Sequence, residues 1–211
     1  MNILILAALS KELDPIQRYL TPEYQNQKHV HLDFLKISIS FKEDRSFIAN
    51  YMTKNSIQLV INAGTAGALN DGLEIRDIIF PSKYINSRSS RLSAGELCIQ
   101  FNNSISQIPS DWVQCSLYTA ENAIISESEK QAVALKTGAN TVDMEAFQIA
   151  EFCRELSIPF CSLKVISDTA DSATVSIFKK NLDSTIDKLK KELKTLIDLF
   201  LIKPEYMKNN G

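Results

Sequence analysis

Along the chain, apolar runs of strand length alternate with longer stretches in which apolar residues recur every three or four positions. Residues 2–9 (NILILAAL) form an unbroken apolar run, the pattern of a strand buried on both faces. Ser10 follows as a candidate N-cap for a helix reaching Leu20. LDFLKISIS (32–40) alternates apolar and polar, as a half-buried strand does, and a helical pattern occupies 44–55. IQLVINAG (57–64) reads as a second buried strand ending in glycine, and IRDIIFPSKYI (75–85) as another, with Pro81 at a bend or edge. VQCSLYTA (113–120) and PFCSLKVI (159–166) read as strands, with a helix over 144–156 between them. Ile186, Leu189, Leu193, Leu196 and Phe200 fall on one stripe of a long amphipathic C-terminal helix. The Ser- and Asn-rich stretch from Asn86 to Asp111 has no clear pattern, and the closing KPEYMKNNG is expected to fray. Strands alternating with helices predict an α/β layer fold with helices on both faces of a sheet, in one domain spanning 1–211.

Composition narrows the class. With 45% hydrophobic and 23% charged residues the 211-residue chain is ordinary globular material, long enough to bury one core. A net charge of −2 leaves no basic footprint for nucleic acid or an anionic membrane. Cys98, Cys115, Cys153 and Cys161 form no CxxC pair, so reduced, mostly buried thiols are expected. His29 and His31 cannot supply a metal cluster, and no metal site is expected. The apolar start has no basic leader and runs into SKEL, which fits a first strand better than a signal peptide. No apolar stretch reaches membrane-spanning length, so a soluble, cytoplasmic protein is expected.

In open α/β sheets ligands bind beyond the carboxyl ends of the strands. Four exits therefore matter: LSKE, AGTAG, residues 121–125 and SDTAD. The six glycines make neither GxGxxG nor GxxxxGK, so dinucleotide and P-loop readings fail on spacing. NAGTAGALNDG (62–72) reads instead as a tight turn at Gly64 and Gly67, where backbone N–H groups and Thr65 could approach a small polar ligand. Asp168 sits just past a buried strand, where it either caps the next helix or serves a site. Glu12 falls in the first turn of a helix, where the dipole favours a carboxylate whatever its function. TVDMEAFQIA (141–150) places Asp143 and Glu145 around Met144 at a helix start. Either these acids decorate an exposed end, or one awaits a ligand, because burying an unpaired charge costs several kcal/mol.

The segments ILAALSKEL, INAGTAGALNDGLEIRDII, NTVDMEAFQIAEFCRELSIPF and KVISDTAD, in this order and spacing, resemble the nucleoside phosphorylase/hydrolase superfamily. Within it the likeness is to the 5′-methylthioadenosine/S-adenosylhomocysteine nucleosidases, over residues 1–82 and 112–182. The resemblance implies a three-layer αβα fold around a central twisted mixed sheet. It also implies an N-ribosyl hydrolase that frees adenine from 5′-substituted adenosines, a homodimer, and no cofactor. By the same match Asp168 would protonate or hydrogen-bond N7 of the leaving adenine, with Ser167 holding it, and Glu12 would activate water. Glu145 would grip the ribose hydroxyls, with Met144 packed beneath the sugar. Thr65 stands where a small hydroxyl residue helps place the water, and Ile124 where backbone meets the adenine edge. Phe178 stands where an aromatic covers the ribose and 5′ group, though it fits a core aromatic at the start of the last helix equally well. An acid and a base on opposite faces of a sugar follow the logic of inverting glycosidases.

The pattern departs from the family in three places, one being the middle segment, which is short and has no obvious apolar pocket for a 5′ group. Lys164 stands where the family carries an arginine near the water and Glu12; lysine keeps the charge and loses the planar fork. SISFKEDRSFIAN (38–50) lacks the glycine that normally opens the following helix. Asp143 is left between a site neighbour and a surface acid. Three alternatives stay open: a nucleosidase for another purine nucleoside such as aminofutalosine, a phosphorylase, or a non-catalytic nucleoside-binding protein. A phosphorylase would need an anion cradle after the first strand, where AALSKELDPIQR offers a carboxylate and no glycine. Asp168 favours a 6-amino purine, since 6-oxo purine enzymes of the superfamily tend to place asparagine there.

Overall fold

A computed structural model describes residues 1–39, 41–86, 91–93 and 108–202. Its elements run β1 (Asn2–Ala7), α1 (Ser10–Tyr24), β2 (His31–Lys36), α2 (Arg45–Lys54), β3 (Leu59–Ala68), β4 (Ile78–Asn86) and β5 (Arg91–Ser93). They continue with β6 (Trp112–Thr119), α3 (Glu127–Thr137), β7 (Thr141–Asp143), α4 (Ala146–Glu155), β8 (Phe160–Asp168) and α5 (Thr174–Ile202). Most of the patternless stretch (87–90 and 94–107) and the tail (203–211) lie outside the described residues. Among the described residues no helix is long and apolar enough to cross a membrane.

The sheet is mixed. β1 pairs parallel with β2 and β3, and β3 parallel with β8. β4, β6 and β7 form a second parallel set. The two sets meet antiparallel at β4–β8 and β3–β7, so pairing closes through β3, β8, β4, β6 and β7. Period-two alternation then sorts side chains to two covered faces. Ile3, Ile5, Ile61, Leu163 and Val165 pack with Ile16 and Leu20 of α1 and the Ile186–Phe200 stripe of α5. Leu4, Leu6, Val60 and Ile166 pack with Ile48 and Met52 of α2 and Phe147, Ile149 and Ala150 of α4. Each such apolar side chain taken from water is worth about 1.5–3 kcal/mol, which is why β1 and the first three residues of β3 are apolar almost throughout.

Several local expectations are corrected. Ser10 is the first residue of α1 and not its cap; extended Leu9 takes that position, with φ −112° and ψ 135°. Its N–H is satisfied by the Glu12 carboxylate at 3.3 Å, the returning half of a capping box. β2 ends at Lys36, short of the alternation read to residue 40. Gly64 and Gly67 form no turn, because β3 continues to Ala68, and neither glycine has a positive φ. Their reason is space: a Cβ at Gly64 would meet Glu12 Oε1 at 3.3 Å, and one at Gly67 would meet Asp168 Oδ1 at 2.9 Å. Pro81 sits at a register shift in the β4–β6 pairing, a bulge inside the sheet.

The segment without the expected glycine still makes its turn. Phe41 adopts the left-handed φ of 58° and buries its ring edge-on to Phe152 at 5.3 Å. Asp44 accepts both the N–H and the hydroxyl of Ser38 at 2.6 Å. Burial and these bonds offset a backbone strain on the order of 1 kcal/mol. α3 and β7 were not anticipated, although Ser126 caps Glu129 N–H at 3.3 Å and Gly138 closes the helix at φ 69°.

Candidate functional site

A cavity of about 260 Å³ opens where these corrections cluster. Its walls come from the residues after β1, the second half of β3, the loop after β6, the β7–α4 junction, the end of β8 and the start of α5. Glu12, Thr65, Ile124 and Met144 line it, as do Glu145, Ser167, Asp168 and Phe178. Lys164 does not line it; this fully buried side chain lies behind Glu145.

Glu12 reaches the cavity because α1 starts immediately after β1. One carboxylate oxygen accepts the Thr65 N–H at 2.9 Å and the Thr65 hydroxyl at 2.8 Å. The other accepts the Leu9 N–H. Burial pushes its pKa above the ordinary 4.5, against the opposing pull of the Lys164 charge and the Thr65 bonds. A carboxylate so raised is a stronger base than a free one.

Asp168 ends β8 across a register shift: Ala66 pairs with Ile166, but Gly67 pairs with Asp168. The bulge at Ser167 turns the carboxylate toward the cavity. Asp168 does not cap α5, which begins only at Thr174. Its two oxygens accept the Ser167 hydroxyl at 2.8 Å and the Ala170 N–H at 3.0 Å.

The VDME segment is organised by Lys164. Its ammonium lies 2.5 Å from Glu145 Oε1 and 2.9 Å from Asp143 Oδ2. Asp143 is therefore a buried ion-pair partner and no surface acid, and Glu145 is already partnered without any ligand. Asp143 also accepts the Thr119 hydroxyl at 2.8 Å and the Ala146 N–H at 3.1 Å, while Thr119 Oγ1 accepts the Phe147 N–H at 2.9 Å. Three buried carboxylates thus share the Lys164 ammonium. Burial raises the Glu145 pKa, Lys164 draws it back, and Asp143 and Glu12 push it up again. Burial by itself would lower Lys164; the charges of Asp143 and Glu145 outweigh that and hold its pKa above the ordinary lysine value.

The remaining wall is apolar. Ile124, Val142 and Ala170 belong to one buried cluster facing the cavity, a surface suited to a flat ring. Phe178 both lines the cavity and packs on the α1–α5 core, so its two expected positions coincide. Exposed Ile39 and Val175, which sequence reasoning missed, complete the rim. Val175 was findable, since Val175, Phe178 and Leu182 extend the α5 stripe backward at helical spacing. Among the described residues no group of His, Cys, Asp and Glu has the arrangement to hold a metal ion.

The family model described as "Phosphorylase superfamily" matches residues 44–198. The chain is 28% identical to the 5′-methylthioadenosine/S-adenosylhomocysteine nucleosidase of Buchnera aphidicola subsp. Schizaphis graminum, over 93% of this chain and 96% of that relative. It is 25% identical to the aminodeoxyfutalosine nucleosidase of Helicobacter pylori, over 67% of this chain and 69% of that one. In fold it matches an H. pylori 5′-methylthioadenosine/S-adenosylhomocysteine nucleosidase mutant solved with 5′-methylthioadenosine in the active site. That match has a TM-score of 0.78 at 18% identity and covers 93% of this chain and 98% of the other. With the matched region running from the residue before α2 through most of α5, the chain belongs to the phosphorylase superfamily.

Proposed function

We propose that this protein is an N-ribosyl hydrolase that cleaves 5′-substituted adenosines such as methylthioadenosine and S-adenosylhomocysteine to adenine and the 5′-substituted ribose. The observation that carries this reading is the convergence of Glu12, Glu145 and Asp168 on one cavity with an apolar slot beside them. Adenine is a poor leaving group as an anion. Asp168, held by Ser167 and the Ala170 N–H, supports N7 with a proton or a hydrogen bond as the C1′–N9 electrons pass to the purine. Glu12 takes a proton from a water that attacks C1′ from the other face, and Thr65 helps to place that water. Glu145 keeps lone pairs free beyond its bonds from Lys164 and the Met144 N–H and accepts from the ribose hydroxyls above Met144. Its negative charge also favours the cationic character of the ribosyl group in the transition state. The adenine lies between Ile124 and its apolar neighbours, and the 5′ group faces Phe178 and the rim.

Hydrolysis fits the electrostatics better than phosphorolysis. A phosphate would sit among Glu12, Asp143 and Glu145, and the nearby Lys164 ammonium is already held by two of these carboxylates. The same chemistry on an aminofutalosine is a second reading, supported by the 25% identical aminodeoxyfutalosine nucleosidase of H. pylori and by the open rim at Ile39 and Val175. This reading takes residues 1–211 as one domain, acting as a cytoplasmic homodimer without a cofactor.

Purified protein incubated with methylthioadenosine in phosphate-free buffer is expected to release free adenine, followed by chromatography. No adenine at high protein concentration overturns the hydrolase reading. Binding without turnover would leave a nucleoside-binding protein in its place.

A further inference from the structure

Lys164 stands where relatives are expected to carry arginine, yet its surroundings assign it a defined task. An arginine presents several N–H groups and could hold a carboxylate and still reach a water. The Lys164 ammonium has three N–H donors, and two carboxylates take it at 2.5 and 2.9 Å. The side chain is completely buried and stands outside the cavity wall. Asp143 is itself fixed from three sides, by the ammonium, the Thr119 hydroxyl and the Ala146 N–H. Thr119 in turn is fixed by the Phe147 N–H from the first turn of α4. A rigid chain therefore runs from α4 through Thr119, Asp143 and Lys164 to the cavity face of Glu145.

We infer that Lys164 and Asp143 are a positioning pair for the ribose-gripping carboxylate: Asp143 fixes the ammonium, and the ammonium sets the orientation and charge of Glu145. This rests on the proposed nucleosidase reading and deepens it. Removing either member moves Glu145 in a different direction. Without Lys164, Glu145 faces Asp143 and Glu12 with no counter-charge and holds its proton to higher pH. Without the Asp143 charge, Glu145 loses a repelling neighbour and has the ammonium to itself, so it ionises at lower pH. Glu12 from α1, Asp143 from β7 and Lys164 from β8 are the charges that bear on Glu145, with Asp168 also lining the cavity.

The test uses the full chain carrying Lys164→Met, Lys164→Arg or Asp143→Asn. In protein labelled with ¹³C at glutamate carboxyls, the Glu145 resonance is identified by its loss in Glu145→Gln. Its titration midpoint is expected to rise in Lys164→Met and to fall in Asp143→Asn, each by about one pH unit or more, the scale on which an adjacent charge moves a carboxyl group. The acid limb of kcat/KM for methylthioadenosine should move the same way in each variant. Adenine, which lacks the ribose, should bind all variants within about twofold of wild type, and Lys164→Arg should restore a midpoint near that of wild type. Unchanged midpoints, or shifts in one direction for both charge-removing variants, overturn the pairing. Where Lys164→Met does not fold, the fall in Asp143→Asn alone decides. If wild-type protein releases no adenine, the hydrolase reading falls, while the carboxyl titration still shows whether Lys164 and Asp143 govern Glu145.

Discussion

Asp168 accepts the Ser167 hydroxyl and the Ala170 N–H, and among the described residues no ion pair holds its oxygens. It is the acid best placed to turn toward a purine. Asp168→Asn keeps the volume and an oxygen for the Ala170 N–H, but an amide cannot deliver a proton to N7. We expect kcat to fall by about 10²–10⁴-fold while affinity for methylthioadenosine changes by less than about tenfold, by turnover assay and calorimetric titration. Near-normal turnover in this variant would remove Asp168 as the acid. The meeting of Glu12, Glu145 and Asp168 at one cavity was legible in the sequence because each sits in an ordered motif at a strand exit or helix start. The partnership of Lys164 with Asp143 and Glu145 was not, because it joins side chains some twenty positions apart, with the whole of α4 between them in the chain. No local spacing encodes such a meeting.

At the level of elements, β3 combines a core strand with one wall of the site. Its first half fills the sheet with Leu59, Val60 and Ile61; its second half gives up side chains so that Glu12 and Asp168 can approach the backbone. A Cβ at Gly67 would lie 2.9 Å from Asp168 Oδ1 and 3.2 Å from both Val142 Cγ1 and Ala170 Cβ. Gly67→Ala should therefore leave the strand paired and displace the carboxylate. A misplacement of about 1 Å costs on the order of 10²-fold in rate, so kcat should fall on that scale with little loss in thermal midpoint. At Gly64 the contact with Glu12 is 3.3 Å, and Gly64→Ala should cost less. Steady-state kinetics beside a melting curve separates the cases; a Gly67→Ala enzyme with full activity would refute the steric account. This two-part strand explains a misreading: glycines after an apolar run look like a turn, and only the neighbouring carboxylates reveal that they make room. The long runs of β1, β3 and α5 were legible because burial on a large scale leaves a periodic mark. The three residues of β7 and the largely exposed α3 leave almost none, although the caps at Ser126 and Gly138 were there to be read.

For the whole molecule the site is a cost. A fold of this size is stable by only about 5–15 kcal/mol, and it holds Glu12 buried near Glu145 and Asp143 with the Lys164 ammonium among them. The Glu12 pKa is raised above 4.5 in the folded state, so the ionised side chain opposes folding. Below pH 4.5 the group is protonated both folded and unfolded, and no penalty exists. Between 4.5 and the raised folded value, the unfolded chain has released its proton and the folded chain has not, so stability declines as pH rises. Above the folded value the penalty is complete and constant. Glu12→Gln keeps an oxygen for the Thr65 N–H and hydroxyl and gives up only the long Leu9 N–H bond at 3.3 Å, but it can never ionise, so it escapes the larger burial penalty. The variant should melt a few degrees above wild type at neutral pH, about 2–4 °C for each kcal/mol at this chain length. The gap should close as the pH is lowered toward 4.5. The same substitution removes the proposed base, and turnover should drop by about 10²–10⁴-fold. Differential scanning calorimetry of both proteins across the pH range, paired with adenine release, reads the two effects together. A Glu12→Gln protein less stable than wild type at neutral pH, or one whose advantage does not grow with pH, would show that burial of this carboxylate is not what the fold gives up for catalysis.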